Sequence, residues 1–320
     1  MKDQLFQLKQ YTKVVADTGE FQEFAPYHPQ DATTNPSLIA KAVRDLTYRP
    51  LIEEAIRKGQ RSISSNPISE VLIQLFVIFG LEILKVVPGR VSIEVDPHHA
   101  FDFEGTIRQA KRYMALFRGA GMEDQRILIK IPATWEGIKA AESLEKEGIC
   151  CNMTLIFNLT QAVACAEAGV TLISPFVGRI LDWHKARGWS GKEPEEDPGV
   201  LFVKEVYSYY KSYGYGTEIM GASFRHIGEV IQLAGCDLLT ISPSLLRELQ
   251  CHDAPISRQL DSSLISKKDD VFPIPIDENR FRWSLNEDIM ATEKLAEGIR
   301  SFAKATEELT ACISEYTREA

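Results

Sequence analysis

The sequence lacks the excess of positive charge that a nucleic-acid-binding protein needs. Its 45 Asp and Glu residues outnumber its 36 Lys and Arg residues, which gives a formal net charge of -9 over 320 residues. Binding to a phosphate backbone requires a positive surface, so we expect no nucleic-acid partner. The acidic composition does not exclude a small anionic ligand, because a few Arg side chains can hold one phosphate group.

Long uninterrupted hydrophobic runs are also missing. Residues 1–8 mix charged and amide side chains where a signal peptide has an apolar core. The most hydrophobic stretch, residues 71–84, contains Gln74 and Glu82 and is too short to span a bilayer. We therefore predict a buried helix at this position and no membrane partner.

The six cysteines show neither a CxxC spacing nor a zinc-binding pattern. Two of them, Cys150 and Cys151, are adjacent in the sequence. Reduced thiols that pack inside the fold are typical of proteins in a reducing compartment. We therefore predict a cytoplasmic protein whose cysteines are reduced.

Short apolar runs rich in β-branched residues alternate with helical stretches along most of the chain, which predicts an α/β fold with a parallel sheet. Eight such runs lie at residues 14–16, 32–34, 91–95, 127–131, 149–155, 170–173, 218–221 and 238–241. Eight is the strand number of a (β/α)8 TIM barrel. We predict a single barrel domain over residues 1–320, with extra helices at the N- and C-terminal ends.

Helical segments are predicted between the strands, for example at residues 105–120, 134–146 and 160–168. Helix-like spacing of apolar residues near the end of the chain predicts an amphipathic helix at about residues 286–318 that packs on the barrel. The apolar residues with this spacing are Leu295, Ile299, Phe302, Leu309 and Ile313.

Two polar segments that contain Pro, residues 190–198 and 257–275, are predicted to be surface loops. The wider segment 182–198 includes Trp183 and His184 and has two interpretations. It is either a lid over a binding site or, as is more typical of such segments, a solvated connection between barrel elements.

Lys130 is the most informative polar residue. It lies within the fourth predicted strand, between Ile129 and Ile131. Burial disfavours the charged form of an amine, and a neutral amine can attack a carbonyl carbon. The alternative is a lysine at a strand end whose stem packs while its ammonium group reaches water. The strand pattern alone does not decide between these two interpretations.

Two carboxylates occupy comparable positions. Glu94 lies in the third strand, where alternation puts it with Ser92 on the face opposite the apolar residues. A buried acid needs a partner, so Glu94 belongs either to a reactive site or to a structural ion pair with Lys130. Asp17 follows the first strand and is either a functional acid or a cap of the turn at Thr18.

Hydroxyl and Arg side chains follow the sixth and seventh predicted strands. Ser174 and Arg179 lie past the sixth strand, and Ser223 and Arg225 lie past the seventh. The late βα loops of such barrels often bind phosphate, and guanidinium groups form bidentate hydrogen bonds with it. Each Arg alone is more typical of a surface ion pair, whereas two matching segments favour a phosphate site.

Several segments resemble signature sequences of the transaldolase family. Asp-Thr-Gly occurs at residues 17–19, Asp-Ala-Thr-Thr-Asn-Pro-Ser at 31–37 and Ile-Lys-Ile-Pro-Ala-Thr-Trp-Glu-Gly at 129–137. Further similar segments are residues 81–96, 148–155, 174–183, 220–225 and 282–302. The resemblance covers nearly the whole chain in the right order, which makes it highly specific.

The resemblance implies a role for each polar residue. Lys130 would form a Schiff base with the carbonyl group of a ketose, and Asp17 would take a sugar hydroxyl proton as a carbon–carbon bond breaks. Glu94 would move protons together with Thr154 and a water molecule near Phe176. The implied ligands of the three-carbon unit are Thr33, Asn35, Asn152 and Ser174. The implied ligands of the phosphate group are Arg179, Ser223 and Arg225.

The implied reaction transfers a dihydroxyacetone unit from sedoheptulose 7-phosphate or fructose 6-phosphate to glyceraldehyde 3-phosphate or erythrose 4-phosphate, in the pentose phosphate pathway. Sugar phosphates are the expected partners, and a Schiff base needs neither a metal nor another cofactor. The family includes monomers and dimers, which allows a homodimer. The similar fructose-6-phosphate aldolases, which are lyases, are an alternative, but they tend to carry Tyr where this chain has Phe176.

Two further alternatives involve other chemistry. A metal-dependent lyase would bind its ion through Asp96, His98 and His99, although adjacent histidines seldom reach one ion. A non-catalytic barrel would only bind sugar phosphates or a protein partner. Such a barrel would have no use for both Lys130 and Asp17, and this sequence contains both.

Overall fold

The computed structural model describes residues 2–62, 66–266 and 276–319. The strands are β1 (Lys13–Asp17), β2 (Asp31–Thr33), β3 (Val91–Glu94), β4 (Ile127–Pro132), β5 (Cys151–Ile156), β6 (Leu172–Pro175), β7 (Glu218–Gly221) and β8 (Leu238–Ile241). Each strand pairs in parallel with the next one along the chain, and β8 pairs with β1, so the sheet is closed. The predicted (β/α)8 TIM barrel is confirmed, and every strand overlaps a predicted run.

Helices follow the strands and cover the outside of the barrel. They are α1 (Gln4–Leu8), α2 (Phe21–Phe24), α3 (Pro36–Ala42), α4 (Arg49–Gln60), α5 (Pro67–Val86), α6 (Phe103–Gly119), α7 (Trp135–Lys146), α8 (Leu159–Glu167), α9 (Val177–Ala186), α10 (Pro198–Tyr213), α11 (Ile227–Ile231), α12 (Pro243–Cys251), α13 (Glu278–Glu287) and α14 (Ile289–Glu319). The three interior helices predicted from the sequence correspond to α6, α7 and α8. The extra N-terminal helix is α1.

Alternation along the strands sorts their residues into two buried layers. Ile93, Ile129 and Met153 point outward and are fully buried between the sheet and the helices. The other face lines the inside of the barrel. A separate apolar cluster fills the part of this interior that is nearer the amino-terminal ends of the strands. This inner cluster consists of Val15, Leu128, Leu172, Met220 and Leu238. Bulky side chains of this kind make this part of the barrel a packed core.

The most apolar segment of the sequence lies in α5. This helix has 20 residues and is long and apolar enough to cross a bilayer, so the prediction that the segment is too short was wrong. In the fold, 67% of the most apolar 18-residue stretch of this helix is buried. The helix packs on α4, α6 and β3. Gln74 is accommodated because its amide group donates a hydrogen bond to Glu70 at 3.0 Å. The prediction of a buried helix is confirmed.

The C-terminal helix predicted at about residues 286–318 corresponds to α14, Ile289–Glu319, and an additional helix, α13, precedes it. α13 ends at Glu287, and the backbone of the next residue, Asp288, is extended. The carboxylate of Asp288 then accepts the N–H of Ala291 at 2.9 Å, in the first turn of α14. Beyond this break, α14 passes over the carboxyl ends of the strands and contacts β5, α9 and α3.

The predicted loops differ in part from the structure. Residues 182–186 form the end of α9 and are helical, so only the later part of the segment 182–198 is a connection. It contains a short 3-10 helix, Pro194–Glu196, and ends at Asp197, which is buried and caps α10. In the predicted loop 257–275, the described part is irregular apart from one 3-10 turn, and residues 267–275 lie outside the described residues.

All six cysteines are free thiols. Cys151, Cys165 and Cys236 are buried, whereas Cys251 is exposed. Burial raises the pKa of the Cys151 thiol well above its ordinary value, so this side chain stays neutral and acts as a packing residue.

Candidate active site

Polar side chains form a layer inside the barrel, between the inner apolar cluster and the carboxyl ends of the strands. In four strands a polar residue lies two positions after a member of the cluster, so that both point into the barrel. These pairs are Val15 and Asp17, Leu128 and Lys130, Leu172 and Ser174, and Leu238 and Thr240. Glu94 and Asn152 join the layer because they lie in register with Lys130. Barrel enzymes place their reactive groups at this end.

Lys130 is enclosed by protein groups, with 5% of its side chain exposed. Its Nζ atom lies 3.1 Å from Glu94 Oε2 and donates a hydrogen bond to the carbonyl oxygen of Thr34, also at 3.1 Å. The ring of Phe302 lies over Nζ, with its centroid 5.8 Å away. The interpretation in which the Lys130 head group reaches water is therefore wrong.

Glu94 is buried beside Lys130, as both interpretations of this acid require. Burial raises the pKa of its carboxyl group, and the positive charge of Lys130 opposes that shift. Glu94 Oε1 and the Thr154 hydroxyl group have no hydrogen-bond partner within residues 2–62, 66–266 and 276–319. Both oxygen atoms are therefore available to a molecule bound inside the barrel, next to Lys130.

Asp17 lies at the end of β1, beside Thr33 of β2. The Thr33 hydroxyl group donates a hydrogen bond to Asp17 Oδ1 at 2.9 Å and lies 2.7 Å from the hydroxyl group of Thr240. Burial raises the pKa of Asp17, against the positive charge of Lys130, the Thr33 hydrogen bond and the charge of Arg179. The carboxyl group thus points into the barrel rather than capping the turn after β1.

A chain of hydrogen-bonded side chains crosses the interior from β3 to β6. Ser174 Oγ donates to Asn152 Oδ1 at 2.6 Å, and Asn152 Nδ2 donates to Ser92 Oγ at 3.0 Å. Asn35 has a different local role, because its Oδ1 atom caps α3 by accepting the N–H of Leu38 at 3.0 Å. The amide N–H groups of Asn35 remain its donors for a ligand.

The backbone of Arg179 lies in the first turn of α9, and its side chain reaches the mouth of the barrel. Its guanidinium group lies 5.1 Å from the ring centroid of Phe176 and 5.3 Å from that of Phe302. Among the residues that the structure describes, Arg179 forms no hydrogen bond or ion pair. Burial and the charge of Arg225 lower its pKa. An Arg side chain held between aromatic rings with unpaired N–H groups is suited to binding an anion.

The segment that contains Arg225 lies beside the segment that contains Arg179, because the ends of β6 and β7 are bonded together. Gly178 donates its N–H to Ser223 O at 3.0 Å, and a Cβ atom at Gly178 would lie 2.3 Å from that oxygen. Ser223 has a left-handed backbone with a φ of 66°, a strained conformation that clusters at functional sites. Arg225 pairs with Asp182 at 2.7 Å, and its Nη1 atom lies 3.4 Å from Ser223 Oγ.

Helix α14 covers the mouth of the barrel, a feature that the sequence analysis missed. The Phe302 ring lies next to the cationic groups of both Lys130 and Arg179. Nearby, Gly298 packs closely on β5, since a Cβ atom there would lie 2.6 Å from Leu155 Cδ2 and would force the Leu155 side chain to shift. The amphipathic spacing identified Phe302 as an apolar helix position but gave no signal that it belongs to the site.

The segment 182–198 is connected to α14. Trp183 Nε1 donates a hydrogen bond to Glu293 Oε2 at 2.6 Å, and Arg187 donates to the same oxygen at 2.7 Å. The guanidinium group of Arg187 also lies 3.8 Å from the Trp183 ring centroid. These contacts hold the end of α9 against α14, which favours the interpretation of this segment as a connection rather than a lid.

The residues of the proposed metal-dependent lyase do not converge on one point. His98 Nδ1 lies 2.7 Å from Asp96 Oδ1, whereas His99 Nδ1 lies 3.6 Å from Asp102 Oδ2. The two histidine side chains therefore face different carboxylates. This geometry gives no support to the metal alternative.

The fold and the buried polar layer define a (β/α)8-barrel protein with a lysine and two carboxylic acids at the carboxyl ends of its strands. A family model described as transaldolase/fructose-6-phosphate aldolase matches residues 14–313, and the chain belongs to this family. A curated relative from Drosophila melanogaster, named probable transaldolase, is 52% identical over 318 residues, which cover 98% of this chain and 96% of the relative. The resemblance found in the sequence motifs is thereby confirmed.

Proposed function

We propose that this chain is a transaldolase that carries a dihydroxyacetone unit between sugar phosphates as a Schiff base on Lys130. The observation that carries the proposal is the burial of Lys130 at 3.1 Å from Glu94, inside a barrel of the transaldolase family. The enclosed amine can add to a ketose carbonyl group. The carboxyl group beside it can take up and return the protons that this addition moves.

The Schiff base supplies the electron sink for bond cleavage. Breaking the carbon–carbon bond of a free ketose would leave a carbanion, whereas the protonated Schiff base accepts the electron pair and becomes a neutral enamine. Asp17 takes the proton of the C4 hydroxyl group as this bond breaks, and an aldose phosphate leaves. Because burial raises its pKa, Asp17 is a stronger base than an exposed Asp.

Glu94 and Thr154 serve the steps before and after bond cleavage. Formation of the Schiff base expels the carbonyl oxygen as water, and hydrolysis of the product Schiff base consumes water. Both steps need a proton donor and acceptor next to Lys130 Nζ. Glu94 fits this role because burial raises its pKa, and the unpaired Thr154 hydroxyl group can hold the water.

The remaining predicted residues orient the substrate. The hydroxyl groups of the three-carbon unit bind to Thr33, Asn35, Asn152 and Ser174. The phosphate group binds to Arg179, Ser223 and Arg225. Phe176 and Phe302 flank Arg179 at the mouth of the barrel, where they limit the access of water to the enamine.

The proposed donors are sedoheptulose 7-phosphate and fructose 6-phosphate, and the proposed acceptors are glyceraldehyde 3-phosphate and erythrose 4-phosphate. This chemistry belongs to the pentose phosphate pathway of the cytoplasm, and it requires no metal or other cofactor because the Schiff base replaces one. A homodimer is compatible with it, since all of the proposed groups come from one barrel.

Mass spectrometry after borohydride reduction in the presence of fructose 6-phosphate tests the proposal. We expect an adduct of the three-carbon unit on the peptide that contains Lys130. The adduct should also form in Lys139→Ala, a control in which an exposed lysine is removed, but not in Lys130→Ala. Lys130→Ala should lower ketol transfer by at least about 10⁴-fold. An adduct on another lysine, or normal transfer by Lys130→Ala, would contradict the mechanism.

The acceptor dependence separates transfer from lyase activity. A transaldolase keeps the enamine until an aldose phosphate arrives, so fructose 6-phosphate alone should yield little free dihydroxyacetone. A fructose-6-phosphate aldolase would release dihydroxyacetone at its full rate without an acceptor. A barrel that only binds sugar phosphates would form no adduct under borohydride.

A further inference from the structure

A pair of buried carboxyl groups lies directly behind the segment that carries Ser223 and Arg225. Asp197 caps the start of α10 and is 1% exposed, and Glu229 lies in the first turn of α11 and is 0% exposed. Neither residue has a role in the mechanism proposed above. Asp197 ends the segment between α9 and α10, and Glu229 follows the proposed phosphate-binding segment, so the pair links these two parts of the chain.

One oxygen atom of each carboxyl group is bound to the backbone. Asp197 Oδ1 accepts the N–H groups of Gly199 at 2.8 Å and Val200 at 3.3 Å. Glu229 Oε2 accepts the N–H of Arg225 at 2.5 Å. For the other two oxygen atoms, Asp197 Oδ2 and Glu229 Oε1, the described parts of the chain offer no separate donor. One carboxyl oxygen of each residue lies within 4.8 Å of the other, so a proton between the two groups would satisfy both of these atoms.

We propose that Asp197 and Glu229 share one proton and thereby hold the Arg225 backbone in the position that binds phosphate. Two buried carboxylates side by side cannot both ionise without strong repulsion. The shared proton therefore keeps the start of α11 against the start of α10. The pair acts through Arg225 and positions it without touching the substrate. This inference rests on the proposed phosphate-binding role of Ser223 and Arg225.

The immediate surroundings favour a proton on Glu229. Burial, together with the negative charge of Asp197, raises the pKa of Glu229 to about 7, against the opposing effect of the hydrogen bond from Arg225 N–H. A carboxyl group in this range holds its proton below neutral pH and loses it above.

Other charged groups near the pair have partners or face solvent. Gln232, at the end of α11, bonds to Glu195 of the 3-10 helix and to Lys204 of α10. His226 caps α11 and interacts with the backbone of Glu229. On α12, which packs against α11, the charged residues Arg247 and Glu248 are exposed.

A proton explains the pair better than a metal ion. The donor atoms of Asp197, His226 and Glu229 lie within 4.8 Å of one another, which leaves room for either. However, His226 Nδ1 already accepts the N–H of Glu229 at 3.3 Å, so the imidazole serves as a helix cap. The two remaining carboxyl oxygens suit a proton, which needs no third ligand.

The pH dependence of KM for fructose 6-phosphate tests the proposal. As the pH rises through about 7, Glu229 loses the shared proton and repulsion from Asp197 displaces the Arg225 backbone. One pH unit above the pKa, about a tenth of the molecules keep the proton, so KM should rise by up to about tenfold. Glu229→Gln keeps the hydrogen bonds of protonated Glu229 at every pH, so its KM should stay constant by comparison.

Three outcomes would overturn the proposal: a constant KM in the wild type, a KM of Glu229→Gln that rises like that of the wild type, or a KM that changes when a chelator is added. The titration of the substrate phosphate affects both proteins equally and cancels in this comparison. Glu229→Ala, if it folds, should raise KM for fructose 6-phosphate and leave kcat with unphosphorylated fructose unchanged. Equal losses with both sugars would also overturn the proposal.

Failure of the proposed function would give a different result. If borohydride and fructose 6-phosphate produced no adduct on Lys130 at any pH, the transaldolase mechanism would be wrong, and this inference with it. A normal adduct combined with a constant KM in the wild type would remove only the shared proton between Asp197 and Glu229.

Discussion

Charged groups are fully paired at one end of the barrel interior and only partly paired at the other. At the amino-terminal end, Arg90 lies 2.9 Å from Asp31 and 2.7 Å from Glu218, and Lys13 lies 2.9 Å from the other oxygen of Glu218. Each of these charges has at least one partner of opposite sign. This end of the barrel therefore uses its charges to join the start of β3 to its neighbour β2, and to join β7 to the starts of β1 and β3, which are not its neighbours.

At the carboxyl-terminal end, buried polar groups are only partly paired. Lys130 and Glu94 lie 3.1 Å apart, but the buried atoms Glu94 Oε1 and Thr154 Oγ1 find no hydrogen-bond partner within the described ranges. The partly buried guanidinium group of Arg179 forms no hydrogen bond there either. Leaving a buried polar group unpaired costs about 1–3 kcal/mol. Inside the barrel, incomplete pairing rather than charge alone therefore distinguishes the candidate site from the opposite end.

Asp17→Asn should have the largest effect among the changes that test this contrast. Asn can still accept the Thr33 hydrogen bond but cannot take a proton. We expect the transfer rate to fall by about 10²- to 10⁴-fold, while borohydride still traps the Lys130 adduct and the Tm does not fall. The matched control is Asp31→Asn at the opposite end, which should lower the Tm and leave transfer unchanged. Normal transfer by Asp17→Asn would exclude Asp17 as the base.

Arg90→Ala should have the opposite effects to Asp17→Asn: a loss of stability without a loss of activity. Removing one partner of a buried ion pair costs about 3–5 kcal/mol, and because Arg90 is partly exposed we expect a loss of about 2–3 kcal/mol in the free energy of unfolding. Denaturant unfolding measures this loss, and kcat should not change, since Arg90 lies at the other end of the barrel. A fall in kcat without a loss of stability would show that Arg90 contributes to catalysis rather than to the stability of the fold.

The pH dependence of stability sharpens the test of Arg90. Burial alone would raise the pKa of Glu218, but the hydrogen bond from Lys13 and the charge of Arg90 lower it on balance. A depressed pKa stabilises the fold above the unfolded value of 4.5, and this contribution is lost as the pH falls through the folded value. Arg90→Ala should therefore lose less stability than the wild type on acidification. Equal losses would show that Arg90 does not set this pKa.

The positions of the polar layer could be predicted from the sequence because they follow from alternation. A lysine between two isoleucines and an acid within a β-branched run place Lys130 and Glu94 inside a barrel once eight strands are recognised. The ion pair between Lys130 and Glu94 was one of two interpretations, and the local pattern could not decide between them. Thr240 was missed, although it lies two positions after Leu238 in the last strand.

The features that the sequence analysis missed depend on contacts between distant segments. Phe302 becomes part of the site only because α14 crosses the barrel mouth. Arg225 pairs with Asp182, which is 43 residues away. The helix α13 was missed because the segment is polar and Phe281 is its buried residue, so it shows no apolar spacing like that of α14. The length of α5 was underestimated because its first four and last two residues lie outside the apolar run 71–84.

Arg225→Ala should have the smallest effect and the most specific one. Arg225 is exposed, and its ion pair with Asp182 competes with a phosphate ligand, so we expect KM for fructose 6-phosphate to rise by about tenfold, or about 1.4 kcal/mol. KM for unphosphorylated fructose should not change. Asp182→Asn, the matched variant, frees the guanidinium group and should not raise KM for the phosphorylated donor. If Arg225→Ala weakened both sugars equally, Arg225 would not bind phosphate, and the unpaired N–H groups of Arg179 would be the remaining candidate for that role.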